Sequence, residues 1–412
     1  MFVPTRIGFA SIHYNRAVTA RTEDLPTLLA RITDRDIRSL FSPDFILCCE
    51  QFDQFTTGMV LRVLRELKME DTLRSGTTVD ELVSAKEFAS RAAVPLGWFL
   101  RKLAAEGLIS AEGSGRKTVY RSRGSLPSGD PDAAEARAQA INVRSMPPFR
   151  VLRAMVENIP EFLRGEKTGE EILFAPARLA LWFDYFSNDN LLYEINNRLG
   201  AEAVWRALPA GHPATVVELG GGAGSAALAI GDRLARDAAG DRIGRYVFTE
   251  TVPTFLRRAE RNIRARFPEM PVDFVRLDID RDFAEQGVDR GIADIVYAVN
   301  TVHIAKDLTE TLVRIRETLR PGGRAVFSEC VRPFAEQPIY VEFVFNFLEN
   351  FTGVVTNSET RPNHGFLTPE HWRRAFRAAG FESPEILPDV EELAKHYDSF
   401  FVAAVSARRP HR

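Results

Sequence analysis

The 412-residue sequence predicts an α/β fold, a doubly wound domain preceded by an α-helical winged-helix domain, and three observations carry that prediction. Six short apolar runs recur between 215 and 406 with helical patterns between them, the alternation expected of a parallel sheet covered on both faces. A glycine-rich stretch follows the first of these runs and opens a helix. Upstream, residues 54–123 read as three helices and a short hairpin, the winged-helix pattern.

In chain order, Pro95 occupies the first turn of the third helix and Gly107 closes it, so that Leu96, Phe99, Leu100 and Leu103 share one face. The hairpin follows over 108–120, with Gly113 and Gly115 at its tip. Gly124, Pro127, Gly129 and Pro131 then mark the clearest break in the chain. Residues 133–200 look helical and include the aromatic run LWFDYF at 181–186. Strands are expected at 215–219, 245–250, 272–277, 293–300, 324–330 and 399–406, with helices such as 253–266 and 308–319 between them. The resulting division is an N-terminal extension (1–40), a winged-helix dimerisation domain (41–125), a helical connector (126–200) and an α/β domain (201–412).

Composition narrows the function classes. With 45% hydrophobic residues, 27 Gly and 23 Pro, the chain is neither collagen-like nor of disordered composition. No apolar run reaches the roughly 18–20 residues that span a bilayer, and the N-terminus lacks the pattern of a secretory signal. A cytoplasmic location with no membrane partner is the expectation. The 53 basic and 56 acidic residues give a net charge of −3, no footprint for nucleic acid. A DNA-binding regulator, which a winged helix invites, finds only Arg101 and Lys102 on its third helix, beside the apolar Trp98, Phe99 and Leu100. That apolar surface suits packing between two copies, so a homodimer through residues 1–125 is expected. Cys48, Cys49 and Cys330 form neither a disulfide framework nor a zinc spacing, and no metal is expected.

The glycine loop ELGGGAGS (218–225) places Gly220, Gly222 and Gly224 where a backbone must turn sharply and approach a ligand. Glu250 ends the next run, about where a doubly wound fold sets a carboxylate against ribose hydroxyls. A dinucleotide calls for a further glycine near 225, beside its pyrophosphate. Here the run is compressed and preceded by Glu218, an acid that repels pyrophosphate but suits a sulfonium and an ammonium. S-adenosylmethionine (SAM) is therefore the expected cofactor.

Five blocks in order, ELGGGAGS, YVFTET, LDIDRDFAEQG, NTVHIAKDLTETL and LRPGGRAVFSE, make the chain resemble the class I SAM-dependent methyltransferases, whose SAM-binding domain is Rossmann-like. Over 200–412 the resemblance is greatest to the C-methyltransferase domains of polyketide synthases. Over 40–125 it is to the winged-helix dimerisation segment of small-molecule O-methyltransferases. The resemblance implies that Gly220, Gly222 and Gly224 line SAM, that Glu250 meets its ribose and that Asp278 and Ile279 flank its adenine. It also implies a His–Glu pair at His303 and Glu329.

Those two residues sit just past the fourth run and at the end of the fifth, neighbours in this topology, so both emerge at the carboxyl edge where such sheets bind ligands. A carboxylate on one imidazole nitrogen fixes the tautomer and leaves the other as a base. Plant-type O-methyltransferases carry an acid directly after this histidine; here it is Ile304, which favours the polyketide comparison and removes an adjacent metal ligand. Asn300 holds cofactor or substrate, or caps the following turn. Tyr340, Phe343 and Phe347 share a helical face and line an acceptor pocket or pack a core, and His364 is a pocket wall or a turn residue.

The expected function is SAM-dependent methylation, in specialised metabolism, of an activated carbon or a hydroxyl or enol oxygen. The acceptor is a polyketide-like or phenolic small molecule, free or tethered to a carrier protein. The alternatives are a non-methylating SAM-binding enzyme of the same fold and the DNA-binding regulator.

Overall fold

Ser42 caps the first helix that lies wholly within the described residues, 38–394 and 401–411, of the computed structural model. Its hydroxyl accepts the Phe45 N–H at 3.2 Å, and Pro43 presets the first turn of α1 (Pro43–Glu66). Lys68, at φ 53°, breaks the chain away from α1 into α2 (Glu70–Ser75) and α3 (Val79–Ala85). Thr78 and Glu81 close a reciprocal capping box on α3. α4 (Ala93–Ala105) follows, then the antiparallel pair β1 (Ser110–Glu112) and β2 (Val119–Arg121). Among the described residues, four helices therefore precede the hairpin where three were expected. The extra one arises because the segment after Lys68 is too short and polar to show a helical period.

α4 shows what this module does. Leu96, Phe99, Leu100 and Leu103 are fully buried, as their spacing implied. Phe99 stacks on Phe343 at 5.1 Å and Trp98 meets the same ring edge-on at 5.9 Å, so the apolar face assigned to a second copy is covered by the same chain. Lys102 is buried and tied to Asp53 and Glu106, each at 2.6 Å, and presents no charge to a phosphate backbone. Residues 1–37, most of the N-terminal extension, lie outside the described residues.

The middle of the chain is helical: α5 (Pro131–Ile141), α6 (Met146–Val156), α7 (Ile159–Leu163), α8 (Gly169–Leu173), α9 (Leu179–Tyr185) and α10 (Leu191–Ala207). The sheet then builds from β3 (Ala214–Leu219), β4 (Ile243–Thr249), β5 (Val272–Val275), β6 (Ala293–Val299), β7 (Leu319–Cys330), β8 (Glu382–Leu387) and β9 (Val402–Arg408) in the order β5-β4-β3-β6-β7-β9-β8. β3 through β7 are mutually parallel. β9 runs antiparallel to both β7 and β8, which corrects the all-parallel expectation. Apolar runs report burial but not direction, and an antiparallel edge on a parallel sheet is a common variant.

α11 (Ser225–Arg236) and α12 (Pro253–Arg266) join α10 on one face, where Ala227, Ile230 and Ile263 bury Tyr246 and Phe248. α13 (Leu308–Thr318) and α16 (Pro369–Ala378) cover the other, where Leu312, Trp372 and Phe376 bury Phe327. Two short helices, α14 (Glu342–Phe345) and α15 (Glu349–Thr352), follow β7 and share the core of the N-terminal helices; α17 (Val390–Ala394) precedes β9. Among the described residues no helix is long and apolar enough to cross a membrane.

A buried polar junction locks α14 to α4. The Glu342 carboxylate is fully buried, accepts from Arg332 Nε at 2.7 Å and receives Trp98 Nε1 at 2.9 Å. Removing one partner of a buried pair strands the other charge. Glu342→Ala is expected to cost about 3–5 kcal/mol, read as a lower Tm. The Glu342→Leu/Arg332→Met double variant should recover most of that loss, and a double variant no more stable than the single would refute the stranded-charge account.

Candidate active site

The chain leaves β3 at Leu219 and turns through Gly220 (φ 60°) and Gly222 (φ 57°) before Gly224 caps α11. The two turn glycines are needed for different reasons. A Cβ on Gly220 would stand 2.4 Å from the Thr301 side chain, whereas one on Gly222 would meet nothing within 4 Å. Gly220 thus permits close approach to the next strand's loop, and Gly222 faces open space. Gly221 N–H donates to Thr249 O at 2.9 Å, laying the loop across the end of β4.

Two acids flank this loop. Glu250, just past β4, accepts from Gly222 N at 3.0 Å and from Val252 N at 2.8 Å. Burial raises its pKa while those N–H donors lower it. Glu218 lies directly beneath: a Cβ on Gly221 would come within 3.0 Å of its carboxyl carbon. Tyr246 donates its hydroxyl to Glu218 Oε2 at 2.8 Å, and Oε1 has no partner. Burial above all, with the Glu250 charge added, pushes this carboxyl from an ordinary 4.5 up to about 8. β5 ends at Val275, so Asp278 and Ile279 lie in the loop beyond it rather than at the strand end expected for the third run. Asp278 Oδ1 accepts the Asp280 N–H at 2.9 Å, and Ile279 O accepts the Thr311 hydroxyl at 3.3 Å.

At the end of β6, Asn300 takes a left-handed conformation (φ 46°), and its Oδ1 accepts the Cys330 N–H at 2.8 Å. His303 stands in the tight turn Val302–Ile304, 4% exposed, with Nδ1 2.7 Å from Glu329 Oε2. Glu329 is fully buried, and its Oε1 accepts from Thr301 N at 3.3 Å and Val302 N at 3.1 Å. One carboxylate therefore holds both the imidazole and the backbone that carries it. With Nδ1 assigned as donor from this network, the Nε2 lone pair is left available, and no described residue hydrogen-bonds to it. Thr301 Oγ1, 3.3 Å from Gly220 O, joins the histidine turn to the glycine loop.

Aromatic rings enclose the imidazole. Phe366 lies 4.4 Å and Phe351 5.8 Å away, centroid to centroid. Tyr340, Phe343 and Phe347 are buried elsewhere: Tyr340 packs on Phe52 and Phe401, Phe343 on Phe99, and Phe347 on Phe162. His364 Nε2 is 2.9 Å from Asn346 Oδ1, and its ring meets Phe351, whose ring also contacts His303. Burial first, then the charges of Arg332, Arg101 and Arg361, pushes His364 down to about 4, which keeps it neutral. Sequence reasoning missed Phe366 and Arg361. Both lie in RPNHGFL (361–367), where attention went to the histidine.

Residues 217–325 match the family model of a methyltransferase domain. The highly reducing polyketide synthase frbB of Dothideomycetidae sp. (strain 11243) is 30% identical over 244 residues, 58% of this chain and 9% of that protein. The chain thus spans less than a tenth of that relative's length. Two solved structures share the architecture end to end. The CurJ carbon methyltransferase has a TM-score of 0.75 at 18% identity over 95% of this chain and 99% of that one. The DszA carbon methyltransferase has a TM-score of 0.70 at 19% identity over 95% and 96%. At these identities the likeness speaks for the fold.

A carboxyl whose folded pKa is raised stabilises the fold below its unfolded pKa and loses that contribution as pH rises through the folded value. Between about pH 4.5 and 8 the ligand-free protein should lose stability through Glu218. Glu218→Gln is expected to flatten that part of the Tm-versus-pH curve, and an unchanged slope would show the carboxyl to be already ionised in the fold.

Proposed function

We propose that this chain, with its methyltransferase-domain match, transfers a methyl group from SAM to an activated carbon of a polyketide-like acceptor. The observation that carries the reading is the buried His303–Glu329 pair, hydrogen-bonded at 2.7 Å at the carboxyl edge of the sheet and tied through Thr301 to the glycine loop. The relatives that supply the acceptor class are polyketide synthases, and the structural neighbours are named as carbon methyltransferases.

The residues present fit a cationic adenosyl ligand. An orphaned buried oxygen on Glu218, a second buried acid at Glu250 and open space beside Gly222 together form an acidic cradle. In this reading Glu218, Gly220, Gly222, Gly224, Glu250, Asp278, Ile279 and Asn300 hold SAM, which supplies a methyl group already activated by its sulfonium. The chain's own task is alignment and proton removal. His303 Nε2 accepts the proton from a carbon made acidic by neighbouring carbonyls, and Glu329 stabilises the imidazolium that forms. The enolate so formed would be the nucleophile for the methyl group that SAM, held by the glycine loop and its flanking acids, would supply, with S-adenosylhomocysteine as the leaving group. Phe351 and Phe366 pack against the imidazole and keep water from it, which disfavours return of a proton to the enolate. The acceptor arrives free or on a carrier protein, in a cytoplasmic setting.

His303→Ala should lower kcat by roughly 10²–10⁴-fold while SAM affinity by calorimetry stays within a few-fold. Retained turnover would remove the base from the mechanism. Gly222→Val puts a side chain into the open space beside the loop at a left-handed φ, and loss of the calorimetric SAM signal is expected. Unchanged affinity would mean that the loop does not hold the cofactor. Mass spectrometry should find one S-adenosylhomocysteine per product, and turnover without it would identify a non-methylating enzyme.

A further inference from the structure

We infer that Arg361 is a positioning residue that clamps the His303 turn and whose fixed charge disfavours an added proton on the His303–Glu329 pair. The inference rests on the reading of His303 as base. The Arg361 side chain is fully buried. Its Nη1 donates to Ala305 O at 2.6 Å and its Nη2 to His303 O, so the guanidinium grips the turn at both ends. Its own backbone is held in register, since Asn357 N donates to Arg361 O at 2.9 Å and Arg361 N to Asn357 O at 3.2 Å.

No carboxylate among the described residues forms an ion pair with Arg361, and its Nε has no partner. Such a buried cation is costly unless something nearby uses it. Asp280, Asp307 and Glu329 attract it from a distance; burial outweighs them and pulls its pKa to about 10, so it remains charged at neutral pH. The titratable groups that face the pair come from several elements; Cys330 on β7 and Tyr193 on α10 face Glu329 and are held uncharged by burial. Glu329 comes from β7 and Arg361 from the loop after α15. Asp280, Lys306 and Asp307 lie at the entry to α13, with Lys306 N donating to Asp280 Oδ1 at 2.8 Å. α15 contributes the uncharged Phe351 and, at its exposed start, Glu349; His364, beyond that ring, is neutral, with Arg332 behind it.

A proton added to the pair, on the imidazole or on the carboxylate, raises the positive charge facing Arg361. Arg361 therefore lowers the pair's proton affinity, and its removal raises it wherever the proton resides.

The test is the titration of His303 in the whole protein. Imidazole carbon–proton NMR resolves the seven histidines, and the His303→Gln spectrum identifies the signal. Arg361→Met should raise the His303 midpoint by on the order of one pH unit and move the acid limb of the kcat/KM profile by the same amount in the same direction. Arg361→Lys, which keeps the charge but loses the two-pronged grip, should hold the midpoint near that of the parent while kcat falls. If the Met variant does not fold, Arg361→Gln takes its place in both measurements. An unchanged midpoint in a folded neutral variant, or an equal rise in the Lys variant, overturns the proposal. The titration needs no turnover, so failure of the base reading through an active His303→Ala enzyme is seen separately.

Discussion

Everything at the carboxyl edge of the sheet hangs on the Glu329 carboxylate. A fully buried carboxylate is costly unless its lone pairs are met, and here two backbone N–H groups and an imidazole meet them. All three donors belong to residues 301–303, the segment that follows β6. The register of the parallel pair explains how they arrive. Val299 lies opposite Ser328, so the chain leaving β6 reaches Glu329 with its next residues. Asn300 pays for the sharp exit with a left-handed φ, a strain offset by the bond its side chain makes to Cys330 N. The imidazole is thus fixed by main-chain geometry, with the side-chain rotamer as only the last step.

The helical half of the chain acts on the same site through packing. Trp98 and Phe99 on α4 grip Phe343, and Trp98 with Arg332 satisfies Glu342 on the same short helix. α14 is only four residues long and has no side-chain cap, so its own helical hydrogen bonds are insufficient to order it. Its position comes from α4. α15 follows directly and carries Phe351 to the imidazole. A buried ion pair of this kind adds little net stability over apolar residues of the same shape. Its consequence here is orientation, because only one docking of α14 leaves Arg332, Trp98 and Glu342 all partnered.

Legibility in the sequence followed the physics of each signal. The helix expected over 253–266 is α12, because Pro253 starts it and the arginines of its last turn suit its C-terminus. The glycine loop and the pair at 303 and 329 were visible because strand ends and turn glycines are local features whose meeting point the topology dictates. β8 was invisible: ESPEIL alternates half-buried and exposed positions, carries Pro384 and has Ser383 at φ 51°, all marks of an edge strand. The aromatic residues after β7 could be read from sequence as either pocket or core, for another reason. Tyr340, Phe343, Phe347 and Phe351 are one aromatic stripe in sequence, yet a short helix, a break and a second short helix send the first three into the helical core and the last to the imidazole. Arg361 gave no sign, since a buried arginine bound to carbonyls has no sequence period.

Two buried glutamates, close in the fold, illustrate how donors decide what an acid does. Glu218 has a single donor, the Tyr246 hydroxyl, and an oxygen with no partner, so burial prevails and its carboxyl binds a proton far above the ordinary range. Glu329 has three donors and a guanidinium facing it across the histidine turn. The difference matches what the two places require. Beneath the glycine loop, the acid keeps one oxygen without a donor. Beside the imidazole, the carboxylate is already met by its donors and holds the ring in one orientation. The same residue type on two strands flanking β6 is thus left with an unpartnered oxygen in one position and fully met in the other, and the number of N–H and O–H groups aimed at each carboxylate makes the distinction.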